Sequence, residues 1–487
     1  MIALSLLLAC SPEGRFPKDF QWGSATAGFQ VDPGCPTWSQ ADCEDPHSDW
    51  YQWVTDPDLI AESSLHLSGE PLSGGPGMWE TFEDDVTLMK SDNLNALRMG
   101  LEWSRVFPDA AAEDATTVDE LYAHADPDAL ARYHEFFAAM NEAGIKPLVT
   151  VNHYTLPLWV HDGKDCHYNA ETCANDGWVD RERMLRLIGL WAGFCGREFG
   201  GEVDTWATLN EPIAVVLAGY LTPGPDRTNP PGLSFDAVRA RVVLQNQVLG
   251  HGVMATALRA EDTVDVDGDG NATFVGIVMN MADMVPADPA RAEDVAGVEH
   301  VDHLYHRLFL DGAVNGSWDE DVDGTFETTK PELAGTLDWI GVNYYAVVTV
   351  TGLGTTLPGM GDIPVADFYP EIGWIPTPEG LGHVLDRAGE YGLPVIITEN
   401  GWSNPADEGA RADLLDESLR TVHGRIAAGA DIRGYYPWSW VDNYEWNHGM
   451  TAFSFGLYGL EPGTKARVER PIAARYRTIA GDNGFKD

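Results

Sequence analysis

Two glutamates carry the most chemistry. Glu211 stands in Thr208-Leu209-Asn210-Glu211-Pro212, and Glu399 in Ile397-Thr398-Glu399-Asn400-Gly401. Each ends a short β-prone run and precedes a residue that interrupts a strand, so each is expected at a strand's C-terminal end. Alone, either would pass for a turn or helix-start residue. Brought face to face, they form a pair that cleaves a glycosidic bond. One carboxyl protonates the departing oxygen while the other attacks or stabilises the sugar carbon.

Such a pair needs elements to hold it. Eight β-rich runs recur along the chain, at Phe20–Thr26, Asn95–Trp103, Lys146–Tyr154, Asp204–Glu211, Thr273–Met281, Leu337–Tyr345, Leu393–Glu399 and Asp431–Trp440. Several are almost continuously apolar, as in Phe274-Val275-Gly276-Ile277-Val278 and Pro394-Val395-Ile396-Ile397, which suits parallel strands covered on both faces. Between them, Ala129–Ala143, Arg181–Phe199 and Phe235–Leu258 have helical periodicity, with Gly144 and Gly200 or Gly201 at C-cap positions. This alternation predicts an α/β fold, a single (β/α)8 TIM barrel over residues 15–487. The other arrangement considered, a doubly wound open sheet, lacks a Gly-x-Gly-x-x-Gly turn after its first strand. In a barrel the fourth and seventh strands lie across the mouth from each other, so Glu211 and Glu399 are expected to converge there. The Gly/Pro-rich stretches Thr55–Gly77 and Gly352–Glu371 read as long loops over the same C-terminal face.

The chain has 487 residues, 44% of them hydrophobic, which is ample material for a packed core. Its 76 acidic and 30 basic side chains give a net charge of −46, which repels phosphate backbones and excludes nucleic acid as a partner. Residues 1–14 form a separate, signal-like segment. Its apolar run ends in Leu7-Leu8-Ala9-Cys10, the pattern of a bacterial lipoprotein signal, although no Lys or Arg precedes it. The protein is therefore expected to be exported, in the periplasm, outside the cell or held at a membrane by lipid on Cys10. Cys35 with Cys43, and Cys166 with Cys173, are close pairs in polar loops and are expected to form local disulfides. Cys195, in an apolar helical pattern, is expected to be a buried free thiol.

A longer series of motifs shares one resemblance. It includes Trp22-Gly23-Ser24-Ala25-Thr26-Ala27-Gly28-Phe29-Gln30, Asp49-Trp50-Tyr51-Gln52-Trp53-Val54, Arg98 with Glu102-Trp103-Ser104-Arg105-Val106-Phe107-Pro108, and Leu156-Pro157-Leu158-Trp159. It continues through Asn210-Glu211-Pro212, Gly341-Val342-Asn343-Tyr344-Tyr345, Thr398-Glu399-Asn400-Gly401 and Trp438-Ser439-Trp440-Val441-Asp442-Asn443-Tyr444-Glu445-Trp446. In this order the motifs resemble glycoside hydrolase family 1, the β-glucosidases and β-galactosidases, with wording closest to archaeal-type β-glycosidases.

The resemblance implies that Glu399 is the nucleophile and Glu211 the acid/base of a double displacement that retains anomeric configuration. It places Arg98, Asn343 and Tyr345 in support of the nucleophile. It assigns Gln30, His153, Asn210, Glu445 and Trp446 to the sugar hydroxyls, Trp438 to the floor beneath the ring and Trp374 to an outer platform. Two positions depart from the family wording: Tyr154 stands where Trp is usual, and Asp32 where Glu is usual. Met450–Phe455 lacks the Lys and Tyr that relatives use for a 6-phosphate, so the implied partner is a small unphosphorylated carbohydrate or glycoside. The preferred substrate is a terminal β-D-glucoside, with β-galactosides or β-fucosides also accepted. Two alternatives remain: a non-catalytic sugar-binding relative, and a transglycosidase using the same intermediate. No cofactor is required.

Finally, Asp265, Asp267 and Asp269, and Asp319, Asp321 and Asp323, alternate ahead of a glycine like the opening of a calcium loop. Their twelfth positions are Gly276 and Lys330, which excludes a standard EF-hand. Solvated acidic loops are the favoured reading, and the only metal that fits would be a structural calcium.

Overall fold

A computed structural model describes residues 14–357, 361–367 and 376–486, with only the backbone described over 353–357 and 361–367. Cys10 and Trp374 lie outside the described residues.

The apolar runs become strands. β1 (Gln21–Trp22), β2 (Ala96–Gly100), β3 (Lys146–Asn152), β4 (Thr205–Asn210), β5 (Phe274–Asn280), β6 (Trp339–Tyr344), β7 (Val395–Asn400) and β8 (Ile432–Pro437) form one eight-stranded sheet. Its order is β1-β8-β7-β6-β5-β4-β3-β2 with every pairing parallel. The two edges meet, because Arg98 N–H donates to the Ser24 carbonyl at 2.9 Å and Thr26 N–H to the Arg98 carbonyl at 2.8 Å. The sheet is therefore a closed (β/α)8 barrel with no free edge. The first strand is shorter than Phe20–Thr26: beyond Trp22 it continues through isolated bridges from Ala25 to Arg98 and Trp438.

Helices Met78–Ser91, Pro127–Ala143, Arg181–Phe199, Ala237–Glu261, Leu308–Asn315, Pro378–Gly389, Glu408–Ala427 and Pro471–Asp482 follow the successive strands. Their ends obey local rules. Asp126 caps the second of these through the N–H groups of Asp128 and Ala129, Pro127 opens it, and Gly144 closes it in the left-handed region at φ 75°. Gly200 ends its helix differently, in right-handed conformation. A Cβ there would lie 2.3 Å from Asp262 Oδ1, so the glycine serves close packing and not the turn.

Inside the barrel, Ala25, Ala96 and Ala207 pack in one cluster with Trp339, Tyr436, Leu148, Val278 and Ile396. A Cβ on Gly276 would sit 2.2 Å from the Trp339 ring, so β5 must present glycine there. This filled interior leaves only the mouth for a ligand. Over that mouth, the Thr55–Gly77 segment braces the loop after β8: the Glu70 carboxylate accepts from Met450 N–H at 2.8 Å, and its carbonyl accepts from Tyr444 Oη. On the other side, the backbones of Val347–Leu357 and Gly361–Asp367 pair antiparallel and extend from Asp283–Pro286.

Cys35–Cys43 and Cys166–Cys173 are disulfides in the loops after β1 and β3, and Cys195 is a buried free thiol. In purified protein, the four paired cysteines should resist alkylation under denaturing conditions until reductant is added, as read by peptide mass mapping. Labelling before reduction would contradict the pairing.

Candidate active site

The two glutamates meet at one cavity, open to solvent at the mouth of the barrel. Gln30, His153, Asn210, Glu211, Tyr345, Glu399, Trp438, Glu445 and Trp446 all line it. Glu211 follows β4 and Glu399 lies within β7, both buried.

Each carboxylate takes one phenol and one nitrogen donor. Arg98 Nη1 donates to Glu399 Oε1 at 2.5 Å and Tyr345 Oη to Oε2 at 2.5 Å. Asn343 Nδ2 donates to Glu211 Oε1 at 2.8 Å and Tyr154 Oη to Oε2 at 2.6 Å. The nitrogen donors differ: Glu399 has a guanidinium and Glu211 a neutral amide. Asn343 was expected on the nucleophile, and the structure moves it to the other carboxylate. Although Asn343 pairs beside Glu399 in the β6–β7 register, its amide reaches across to Asn210 Oδ1 at 3.2 Å and to Glu211, while its Oδ1 accepts from Thr398.

Burial pushes the Glu399 carboxyl above the ordinary carboxylate range, and nearby Glu211 adds to this. Arg98 and Tyr345 pull it back down. Arg98 and Tyr345 thus favour the anion, and dehydration of the site opposes them.

One network fixes the orientation of the neighbouring groups. Fully buried Arg98 divides its donors among Thr150 Oγ1, Glu399 and Asn210 Oδ1. The Asn210 oxygen is thereby committed to Arg98, so its Nδ2 faces His153 Nε2 at 3.0 Å. Burial, with the charges of Arg98 and Arg227, holds the His153 pKa well below its usual value. A neutral imidazole accepting at Nε2 carries its proton on Nδ1, and that buried Nδ1 has no partner among the described residues. Gln30 is similar: its Nε2 binds the Tyr444 carbonyl and Glu445, while its buried Oε1 has no partner among the described residues. Leaving such atoms unpaired costs ~1–3 kcal/mol each, which a ligand bearing hydroxyl groups repays. Glu445 accepts from Gln30 and Asn443 and is 3.3 Å from Arg227. Trp446 stacks on Phe29, their ring centroids 5.8 Å apart.

Three residues lining this cavity, Tyr154, Glu211 and Trp446, hold φ values of 71°, 41° and 40°. Side chains larger than glycine rarely adopt that conformation, and it costs on the order of 1–3 kcal/mol each.

Sequence reasoning missed three contributors. Arg227 lies in the loop after β4, with its guanidinium over the rings of Trp446 and Tyr154, 4.9 and 5.3 Å from their centroids. The signal was a lone cation in a Pro/Gly-rich loop of the catalytic face. Tyr154 was noted only as a replacement, not for its hydroxyl. Glu102 sits behind the site, accepting from Phe29 N–H at 3.0 Å and Thr155 Oγ1 at 2.7 Å, and so ties the Gln30 loop to the His153 loop. Asp32 also lies behind the site, 3.3 Å from Arg105, and is not a ligand-facing residue.

Burial pushes Glu102 up to about 8, with Asp32 and Asp45 adding to the effect. Its protonated form therefore stabilises the fold below the ordinary glutamate value, and this contribution is lost as pH rises through about 8. Glu102→Gln keeps an acceptor for Phe29 and cannot ionise. It should match wild type near pH 5 and exceed it at pH 9 by ~3 kcal/mol. Urea unfolding at the two pH values tests this, and parallel curves for the two proteins would refute it.

Of the acidic loops, carboxylate oxygens of Asp319, Asp321, Asp323 and Glu327 lie within 4.8 Å of one another, as do those of Asp204, Asp265 and Asp267. Asp269 does not join the second group, because its Oδ1 accepts from the backbone and side chain of Asn271.

The glycosyl hydrolase family 1 model matches residues 12–485. The chain belongs to glycosyl hydrolase family 1. A β-galactosidase of Saccharolobus solfataricus is 33% identical, with 97% of this chain and 96% of that one aligned. A β-galactosidase of Pyrococcus woesei is 31% identical over 96% of this chain and 98% of its own length. Among solved structures, the β-glycosidase of the hyperthermophile Thermosphaera aggregans superposes with a TM-score of 0.82 at 27% identity, covering 97% of this chain and 98% of its own. The family 1 member described here is thus a glycoside hydrolase, and it carries its two strand-end glutamates at one shared cavity.

Proposed function

We propose that this enzyme is a retaining β-glycosidase acting on terminal, unphosphorylated β-D-glucosyl residues, with β-galactosides and β-fucosides as further substrates. The observation that carries the role assignment is the unequal pairing of the two carboxylates. Glu399, beside the guanidinium of Arg98, is the nucleophile; Glu211, held by an amide and a phenol, is the acid/base. In the first step Glu211 gives its proton to the glycosidic oxygen as the C1–O bond breaks and Glu399 bonds to C1. In the second, Glu211 takes a proton from water as the water oxygen bonds to C1 and Glu399 departs. Gln30, His153, Asn210, Glu445 and Trp446 bind the sugar hydroxyls, with Trp438 against the ring. The relatives named β-galactosidase support the sugar range.

The test is a panel of aryl glycosides varied at C4 and C6, with the first-formed anomer followed by NMR. Release of the β-anomer is expected. An α-product would overturn the retaining mechanism, and binding without turnover would favour a sugar-binding protein.

We also infer export, with Cys10 as an acylation site. The two disulfides support an oxidising compartment. Fractionation of cells making the full chain, with incorporation of a fatty-acid label compared between wild type and Cys10→Ser, tests both parts.

A further inference from the structure

The aromatic residue after His153 carries a hydroxyl, and that hydroxyl reaches the acid/base. Tyr154 is buried, lines the cavity and donates to Glu211 Oε2 at 2.6 Å. Its ring lies 4.9 Å from that of Trp446 and 5.2 Å from that of His153, so packing fixes where the hydroxyl points. We propose that Tyr154 is a positioning residue for Glu211, holding Oε2 as the oxygen that carries the catalytic proton and stabilising the carboxylate between the two half-reactions.

The argument rests on the reading of Glu211 as acid/base, and on what each partner is able to do. Asn343 Nδ2 only donates, and it already occupies Glu211 Oε1. A protonated Oε1 would turn its hydrogen away from any acceptor on that side. A phenol both donates and accepts. When Glu211 is ionised, Tyr154 donates to Oε2; when Glu211 is protonated on Oε2, the phenol oxygen accepts. After the proton passes to the leaving oxygen, Oε2 is left as an anion, and the phenol hydrogen turns back to meet it. The two phenols divide the work, since Tyr345 Oη serves Glu399. A tryptophan at position 154 would have no hydroxyl to offer.

His153, from the same loop, is neutral because burial and the nearby arginines hold its pKa far down. Arg227, from the loop after β4, lies over the Tyr154 ring. Glu399 from β7, held by Arg98 from β2 and Tyr345 from the end of β6, shares the cavity with Glu445 from the loop after β8 and with Tyr305, just ahead of the Leu308–Asn315 helix. The Tyr154 hydroxyl gives its hydrogen to Glu211.

Tyr154→Phe removes only the oxygen. The alkaline limb of kcat/KM, which reports the acid in the free enzyme, is expected to move up by about one pH unit, because the anion loses a donor. The acidic limb and the KM for an aryl β-glucoside should stay in place. A residue that only fills space would lower activity without displacing that limb. An unmoved alkaline limb in a folded Tyr154→Phe enzyme, or a shift of the acidic limb instead, would overturn the proposal. Thermal unfolding of the variant, and a second measurement of Glu211 ionisation by ¹³C NMR of labelled glutamate, keep the test decisive if activity is low. Glu211→Ala separates this from the underlying reading. An alkaline limb that survives in Glu211→Ala refutes the acid/base role itself, whereas its loss there with no shift in Tyr154→Phe refutes only the part given to Tyr154.

Discussion

Glu399→Gln should lower kcat on an aryl β-glucoside by on the order of 10⁴-fold or more, the scale expected when a covalent nucleophile is removed. The amide keeps the shape of the side chain and loses both its charge and its attacking oxygen. The loss should appear with every leaving group, since no substrate reactivity supplies the missing bond to C1. A cost to the fold accompanies it. Arg98 is fully buried and would keep Thr150 and Asn210 while losing its ion pair with Glu399, a change that typically costs ~3–5 kcal/mol. Activity should therefore be compared at a temperature where both proteins are folded. An independent check is covalent: a 2-deoxy-2-fluoro-β-glucosyl fluoride should leave a sugar on the peptide containing Glu399. Attachment elsewhere, or near-normal turnover by the variant, would reassign the nucleophile.

Glu211→Ala is expected to behave differently. With a 2,4-dinitrophenyl leaving group, which departs without a proton, the first step should persist. With a poorly acidic aglycone, kcat/KM should fall by roughly 10²–10⁴-fold, the usual contribution of a general acid. Azide should restore turnover on the activated substrate and give a β-glycosyl azide, because a small anion needs no base and fits where the carboxylate was removed. The variant leaves the Tyr154 hydroxyl and the Asn343 amide without their acceptor, so a stability loss of ~1–3 kcal/mol is expected. A loss of activity independent of leaving group, with no response to azide, would rule out the acid/base assignment.

The barrel was readable because its strands are buried on both faces. Runs such as Val395-Ile396-Ile397 leave no polar alternation to mislead; seven of the eight expected segments contain a whole strand of the sheet, and Leu393–Glu399 stops one residue short of the end of its own. The positions of Glu211 and Glu399 follow from that, since strand ends fix both direction and face. What the sequence did not show is which donor meets which acceptor. Asn343 is paired in register with Glu399, and only the competing claims of Arg98, Asn210 and Thr398 turn its amide across the mouth toward Glu211. Arg227 and Glu102 were missed for different reasons. The first sits in a loop without periodicity. The second acts through its environment, because a buried carboxyl looks the same in sequence as an exposed one.

The left-handed backbone at Tyr154, Glu211 and Trp446 is tension that the wall of the pocket must hold in place. Glycine would ease the chain at any of the three, but it would empty a buried position and loosen the unfolded chain, and the lost packing and hydrogen bonds outweigh the relief. Selection for survival in heat and selection for turnover would therefore both keep the same three side chains.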